Sequence, residues 1–537
     1  MKIICVYLCN YSDRNDYYIS LMPYGITSIA AYLESRGHVV TLANFSSYGY
    51  KKAVELTIDQ NADVAAVSIF SFNRYESLKY IRELKKRNPR ITIIAGGQHP
   101  TFLSDEIADR YPEIDFIIKG EGELAISSLL NNTGSAKKII TGDRITDIDS
   151  LPFPSLFHGI TIGVNANEQF KYIITSRGCP NSCTYCSSPA FWKRKVSMRS
   201  SESIINELIH LREKYGIIYF SIRDDNFTIN KKRVLEFCRM LDESRLYMMW
   251  NCQARVDTID EEMLIAMKQA GLEHIQYGVE SGSERILRAY DKATTREMII
   301  RAAKITRETG VYLSFFLMAG MHDETGSDIN DTISLIKETL PHDSIVSPVA
   351  YYPGTAIYTD DRGKGLIEDS AWFDSADSGI YLHDTSKTSG AIEKILHENN
   401  RISVKAAYKP PDVKKHRIKT GDNCWMNDII EGDIWQDSSS LEKASACYKR
   451  IIDAFPENIW GYLRLSESLE HISPLQSSAV LKKASELIPG NYEVWYRLAQ
   501  VYRIIGDKKN ALESASEAFR LNPMNTDVSH LYKKLKS

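Results

Sequence analysis

The sequence predicts an α/β protein with two consecutive parallel-sheet units and an α-helical repeat region toward its carboxyl end. Three observations carry this. Over the first 135 residues, short Val- and Ile-rich runs alternate with helical patterns, as in successive βα units. The alternation resumes at residue 171 and runs through six further strands. From residue 440 a helix-pair repeat takes over.

In the first unit, IICVYL (3–8), VVTLA (39–43), VAAVSIF (64–70), ITIIAG (91–96) and IDFIIKG (114–120) read as strands. Helical spacing fills 24–36, 50–59, 74–88 and 102–110. A parallel sheet offers its ligand site beyond the carboxyl ends of its strands. Two unusual loops fall there, GGQHPTF (96–102) and GEGE (120–123). They supply Gly96, Gly97, Gln98, His99, Gly120, Glu121 and Gly122 as candidate binding residues. Glycines there permit tight turns and close backbone approach to a ligand, or serve the turns alone. His99 reads as a ligand or as a loop histidine. No GxGxxG follows the first strand, which argues against an ordinary dinucleotide site.

In the second unit the strands are 171–176, 217–222, 248–252, 274–280, 311–317 and 344–350. Helices are expected near 201–214, 231–243, 260–270, 283–288, 295–309 and 328–338. Six βα repeats point to a partial barrel, whose chemistry collects at the strand carboxyl ends. Cys179 follows the first strand. Arg223, Asp224, Asp225 and Asn226 follow the second, Arg255 and Asp257 the third, and Glu280 ends the fourth within GVESGS.

The stretch SRGCPNSCTYCSS (176–188) spends three of the nine cysteines within eight positions. Thiolates are soft ligands that suit zinc or iron–sulfur clusters. Structural zinc takes four protein ligands, and no second pair follows at fixed spacing. Cys252 is a distant candidate for a fourth. A cubane cluster held by three thiolates would leave one iron open to a non-protein ligand. Buried inert cysteines fit a polar, glycine-containing loop poorly.

The C-x3-C-x-Tyr-C pattern resembles the signature of radical S-adenosylmethionine (SAM) enzymes. The resemblance implies that Cys179, Cys183 and Cys186 hold a [4Fe–4S] cluster whose open iron binds SAM. Reductive cleavage of SAM then yields a 5'-deoxyadenosyl radical that abstracts hydrogen. By the same resemblance Tyr185 lines the adenine region and Asp224, in DDNFT (224–228), approaches SAM. Gly278, Glu280 and Ser281 line the amino acid end, and Arg255 meets the SAM carboxylate or pairs with Asp257. PGT (353–355) resembles the close of this core. The first unit, with MPYGITSIAAYLESRGHVV (22–40), GGQHPTF and KGEGE, resembles the Rossmann-like cobalamin-binding domain of one subfamily. The DxHxxG cobalt-ligand motif is missing. That leaves a cobalt without a protein histidine, or a layer that only shapes a substrate channel.

Residues 356–436 read as a cap with a helix at 388–405. Its basic run KKHRIK (414–419) faces an anionic substrate or solvent, and Cys424 and Trp425 are candidates to reach the site, though nothing in the sequence demands it. Trp495, Leu498, Ala499, Tyr502, Ala511, Ala515, Ala518 and Pro523 stand at tetratricopeptide spacing, a stack with a partner face. The organisation expected is 1–145 cobalamin-binding, 146–168 linker, 169–355 radical SAM barrel, 356–436 cap and 437–537 helical repeats.

The formal net charge of -3 gives no global attraction to nucleic acid. No run of eighteen apolar residues is present, so no transmembrane segment is expected. The start, MKIICVYLCNYSD, reads as a first strand and not as a secretion signal. The cysteines form no disulfide framework, which favours the cytoplasm. The resemblance implies a cobalamin-dependent methyltransferase acting on a small or natural-product-like molecule, with flavodoxin or ferredoxin as low-potential donor. A cobalamin-dependent cyclase, oxidase or rearrangement enzyme is the first alternative. A metal-stabilised adaptor built on the helical repeats is the second.

Overall fold

The computed structural model describes residues 1–9, 21–131, 137–373 and 381–536. The first sheet comprises β1 (Lys2–Tyr7), β2 (Val39–Asn44), β3 (Val64–Ser68), β4 (Thr92–Gly96), β5 (Phe116–Lys119), β6 (Ile139–Thr141) and β7 (Ile160–Ile162). It is parallel throughout, in the order β6-β5-β4-β3-β1-β2-β7. The chain leaves β1 toward β2 and returns to its other side at β3, so the strand order reverses there. Ligands bind at such a reversal, outside the carboxyl ends.

The five expected strands and the helices expected over 24–36, 50–59 and 74–88 are present in this layer, and both of its faces are covered. All five residues of β3 are buried, as a sheet sandwiched between helices requires. β6 and β7, absent from the sequence reading, close the two edges. Each has three residues that are partly or largely exposed, too short to show a period. The segment expected as a helix over 102–110 is two short helices, Gln98–Phe102 and Ser104–Arg110.

The second sheet begins with β8 (Tyr172–Ile173), and the chain then forms a two-stranded antiparallel ribbon from β9 (Ser176–Arg177) and β10 (Ser197–Met198). It continues with β11 (Tyr219–Ile222), β12 (Met249–Ala254), β13 (Leu272–Glu280), β14 (Tyr312–Ala319) and β15 (Asp343–Pro348). The parallel order β8-β11-β12-β13-β14-β15 follows the sequence. With a helix after each strand from β11 on, this is the six-stranded partial barrel expected. Side chains start several helices: Ser200, Asn230, Asp260 and Thr295 each accept a backbone N–H of the first turn.

The helix Thr385–Ala406 packs on β15 and buries Ile395 and Ile402 in the barrel core. It therefore acts as the sixth barrel helix. Ile286, Tyr290, Tyr351 and Trp372 from this half join the core of the first layer, so one apolar mass spans both sheets.

Six helix-to-helix contacts stack the elements from Trp425–Asp437 to Thr526–Lys536 in chain order. This stack sits under the amino ends of β11 and β12. Ile218 packs with Ile459, Leu463 and Leu481, and Met249 packs with Trp425. A side chain at Gly216 would put its Cβ 2.3 Å from the Gly490 carbonyl carbon, and Asn491 Nδ2 donates to Gly216 O at 2.7 Å. Cys424 and Trp425 thus belong to the barrel floor, away from the strand carboxyl ends. The basic run is divided: Arg417 pairs with Asp428 at 2.8 Å, Lys419 pairs with Glu308 at 2.7 Å and His416 is buried, while Lys414 and Lys415 are exposed. No helix among the described residues is long and apolar enough to cross a membrane.

Candidate active site

A cavity of about 240 Å³, partly open to solvent, lies where the carboxyl ends of the two sheets meet. Ser68, Gly96, Gly97, Gln98 and Gly120–Glu123 line it from the first sheet. Ile174, Ser176–Gly178, Arg223 and Asp225 line it from the second, with Phe191 and Trp192 as an aromatic wall.

The cysteine loop leaves β9 at Gly178, whose φ is +95°. A Cβ there would lie 2.2 Å from Lys195 O, so only glycine allows β10 to come alongside. Cys183 is buried, and Cys179 and Cys186 are half-buried. Each sulfur faces an N–H donor: Asn181 Nδ2 at 3.2 Å from Cys179 Sγ, Arg255 Nη1 at 3.6 Å from Cys183 Sγ, and Ser188 N at 3.4 Å from Cys186 Sγ. Burial pushes the Cys186 thiol up to about 12, so a bound cation is what would ionise it.

Among the described residues no three His, Cys, Asp or Glu side chains converge as a single metal ion requires. The three cysteines of the loop are soft donors, the chemistry an iron–sulfur cluster takes. Cys252 is fully buried in the barrel core, where burial raises its thiol well above the ordinary value.

Asp224 is a clip. Its carboxylate accepts from Thr175 N at 2.6 Å, Thr175 Oγ1 at 2.5 Å and Ser176 Oγ at 2.6 Å, which fixes the strand entering the cysteine loop. Asp225 lines the cavity instead and accepts from Ser188 Oγ at 2.6 Å. Burial, and then Asp224, raise the Asp225 carboxyl.

Arg255 forms a two-pronged pair with Asp257 at 2.9 and 2.8 Å and donates to Lys292 O at 2.6 Å, while reaching Cys183. Of the two sequence readings of Arg255, the pair with Asp257 is present, and the guanidinium also touches the cysteine loop.

Glu280 ends β13 at φ +70°, beside a register shift from Gly278. Its Oε1 accepts from Lys292 Nζ at 2.8 Å and Tyr185 OH at 3.0 Å, and Lys292 Nζ also donates to Tyr185 OH at 2.8 Å. A Cβ at Gly278 would come within 2.7 Å of Glu280 Oε1. Ser281 is buried against Thr332 and Ser283, so it shapes the turn. Lys292 was missed by sequence reasoning, since it follows a helix and belongs to no strand end.

On the first sheet, Ile26, Ile29, Ile94, Ile118 and Ile126 form an apolar slot whose mouth is made of Gly96, Gly97, Gly120 and Gly122. A Cβ at Gly97 would lie 2.6 Å from Ile69 O, and one at Gly122 2.7 Å from Ile29 Cδ1. A flat apolar group enters such a slot only while these positions stay bare. His99 does not line the cavity. It is buried with Nδ1 3.1 Å from Ser71 Oγ, and its ring packs on Trp372 and Phe373. Burial, then Arg74, pull its pKa down to about 3.

Arg177 ties the two halves together. Its guanidinium donates to Glu121 Oε1 at 2.8 Å, Glu123 Oε1 at 2.7 Å and Ser28 Oγ at 3.3 Å. Arg144 donates to Arg177 O at 2.8 Å and pairs with Glu121 at 3.4 Å. Sequence reading had Glu121 but missed Arg177, Glu123 and Arg144. The signal was present in SRGC, a charged residue two places before the first cysteine.

Residues 173–336 match the model of the radical SAM superfamily, residues 17–130 the B12 binding domain, and residues 492–525 a tetratricopeptide repeat. The chain is 28% identical over 362 residues to an uncharacterized methyltransferase of Pyrococcus horikoshii, covering 63% of this chain and 77% of that one. It is 24% identical over 347 residues to the anaerobic magnesium-protoporphyrin IX monomethyl ester cyclase of Rubrivivax gelatinosus, covering 59% of this chain and 62% of that one. The fold is similar to that of the radical SAM methyltransferase TsrM from Kitasatospora setae. The TM-score is 0.56 and the identity 15%, over 68% of this chain and 78% of the other.

Proposed function

We propose that this chain, whose segments match a B12 binding domain, the radical SAM superfamily and a tetratricopeptide repeat in that order, is an enzyme: a cobalamin-dependent methyltransferase acting on an unactivated carbon. The observation that carries this is the shared cavity: a three-cysteine loop forms one wall and a glycine-mouthed apolar slot the other. When bound, the cluster would supply the electron that cleaves SAM, and cobalamin the methyl group.

Cys179, Cys183 and Cys186 would hold the cluster. Glu280, oriented by Lys292, and Arg255 with Asp257 would hold SAM beside it, with Tyr185 and the Gly278 turn shaping the space. The slot behind Gly96, Gly97, Gly120 and Gly122 would take the cobalamin tail, with Gln98 at its edge. Asp224 and Glu121 support this arrangement by holding backbone and Arg177. His99 lies behind the slot, so a cobalt ligand from that side chain is not part of the proposal. All nine cysteines are free, which supports a reducing compartment such as the cytoplasm.

The substrate is proposed to be a small or natural-product-like molecule entering beside Phe191 and Trp192. Product mass tests the reaction. Methylation adds one CH2 and releases S-adenosylhomocysteine with 5'-deoxyadenosine, whereas cyclisation, the activity for which the Rubrivivax gelatinosus relative is named, adds no carbon.

A further inference from the structure

We propose that the exposed tripeptide Lys193-Arg194-Lys195 is the docking surface for an acidic, low-potential one-electron carrier. This rests on the radical SAM reading of the cysteine loop. The tripeptide follows the short helix Ser188–Trp192, and all three residues are exposed. Lys193 and Arg194 both take left-handed backbone, with φ of +53° and +57°.

The tripeptide is anchored to the cysteine loop. Arg194 Nε donates to Pro180 O, one residue after Cys179, at 2.9 Å. Arg194 N donates to Pro189 O at 3.2 Å and Lys195 N to Trp192 O at 3.0 Å. Gly178 leaves room for Lys195 O, as described above. Trp192, immediately before, lines the cavity, and Arg144 stacks on it at 4.6 Å. One wall is therefore shared: cavity inside, three cations outside.

Among the described residues neither the Lys193 nor the Lys195 ammonium has an ion-pair or hydrogen-bond partner. Other exposed lysines, such as Lys414 and Lys415, also lack an ion pair among the described residues; what sets these two apart is their place beside the cysteine loop. The chain is net negative, with a formal charge of -3, so an acidic partner is repelled overall and attracted here. Electron transfer falls steeply with distance, and these cations mark a direct approach to the cysteine loop from solvent. In the step itself the carrier loses one electron and the cluster gains it. No bond forms or breaks and no proton moves.

The test uses full-length reconstituted enzyme, wild type and Lys193→Glu/Lys195→Glu, with reduced flavodoxin or titanium(III) citrate as reductant. Arg194 is kept because it holds Pro180. Flavodoxin affinity of the double variant is expected to fall at least tenfold, and wild-type affinity to weaken as salt rises. 5'-Deoxyadenosine formation with flavodoxin should fall at least tenfold, while that with titanium(III) citrate stays within twofold. Lys193→Gln/Lys195→Gln should fall between. Unchanged flavodoxin affinity, or equal loss with both reductants, would overturn the assignment. A wild type that forms no 5'-deoxyadenosine with either reductant would overturn the underlying radical reading, and the docking surface with it.

Discussion

The Arg177 guanidinium lies 2.7 Å from the Glu123 carboxylate, and this contact joins the cysteine loop of one sheet to the glycine loop of the other. Glu121 and Glu123 flank Gly122 at the mouth of the apolar slot, so one buried network sets the spacing of both proposed cofactor sites.

Replacing Arg177 with Met leaves two buried carboxylates unpaired. Removing one partner of a buried pair costs about 3–5 kcal/mol. Arg177→Lys keeps the charge without the two-pronged fork and should cost less. Denaturant unfolding measures the cost. In the surviving Lys variant, methylated product per 5'-deoxyadenosine should fall severalfold, because the two sites lose their register.

Lys292→Met should weaken SAM binding at least tenfold while iron content stays unchanged. The reason is local: Glu280 would lose its 2.8 Å partner, and Tyr185 would lose the same donor. Isothermal titration of SAM into cluster-loaded protein, with iron analysis on the same sample, separates the two effects.

Gly122→Leu should abolish cobalamin retention and leave the cluster in place. Gly122 keeps an ordinary backbone conformation, unlike Gly97 at φ +105°, so the added side chain fills the slot without backbone strain. Cobalt and iron per chain after desalting check this.

Stability should fall as pH drops below about 6.5. Burial lowers His342 to about 3, and His274 and His416 to about 4. These imidazoles stay neutral in the fold but take up protons in the unfolded chain below its higher pKa. Their contribution is therefore complete above the unfolded pKa and is lost as pH falls toward the folded values. Melting temperatures from pH 7.5 to 5 should decline, with a shallower slope for His416→Gln.

Much of the fold was legible because parallel strands buried on both faces read as Val- and Ile-rich runs, and each βα helix has its own period. β6 and β7 were hidden because three residues carry no period. The site was legible where chemistry is local, as in the cysteine loop and the glycine loops. It was hidden where partners are far apart in sequence. Arg177 meets Glu121 and Glu123 across 56 and 54 positions, and Lys292 reaches Tyr185 across 107. Asp224 stood at the expected strand end, yet its oxygens serve Thr175 and Ser176, while its neighbour Asp225 turns to the cavity. Both lie in the loop after β11, where no strand period says which carboxylate faces the cavity.

The most direct test of the central claim is anaerobic reconstitution with iron, sulfide and cobalamin, followed by SAM and a strong reductant. About four irons per chain, bound cobalt, and 5'-deoxyadenosine that disappears in Cys179→Ala, Cys183→Ala and Cys186→Ala are the expected result. Cluster-loaded wild-type protein that leaves SAM intact, or cleavage that survives loss of these cysteines, would contradict it.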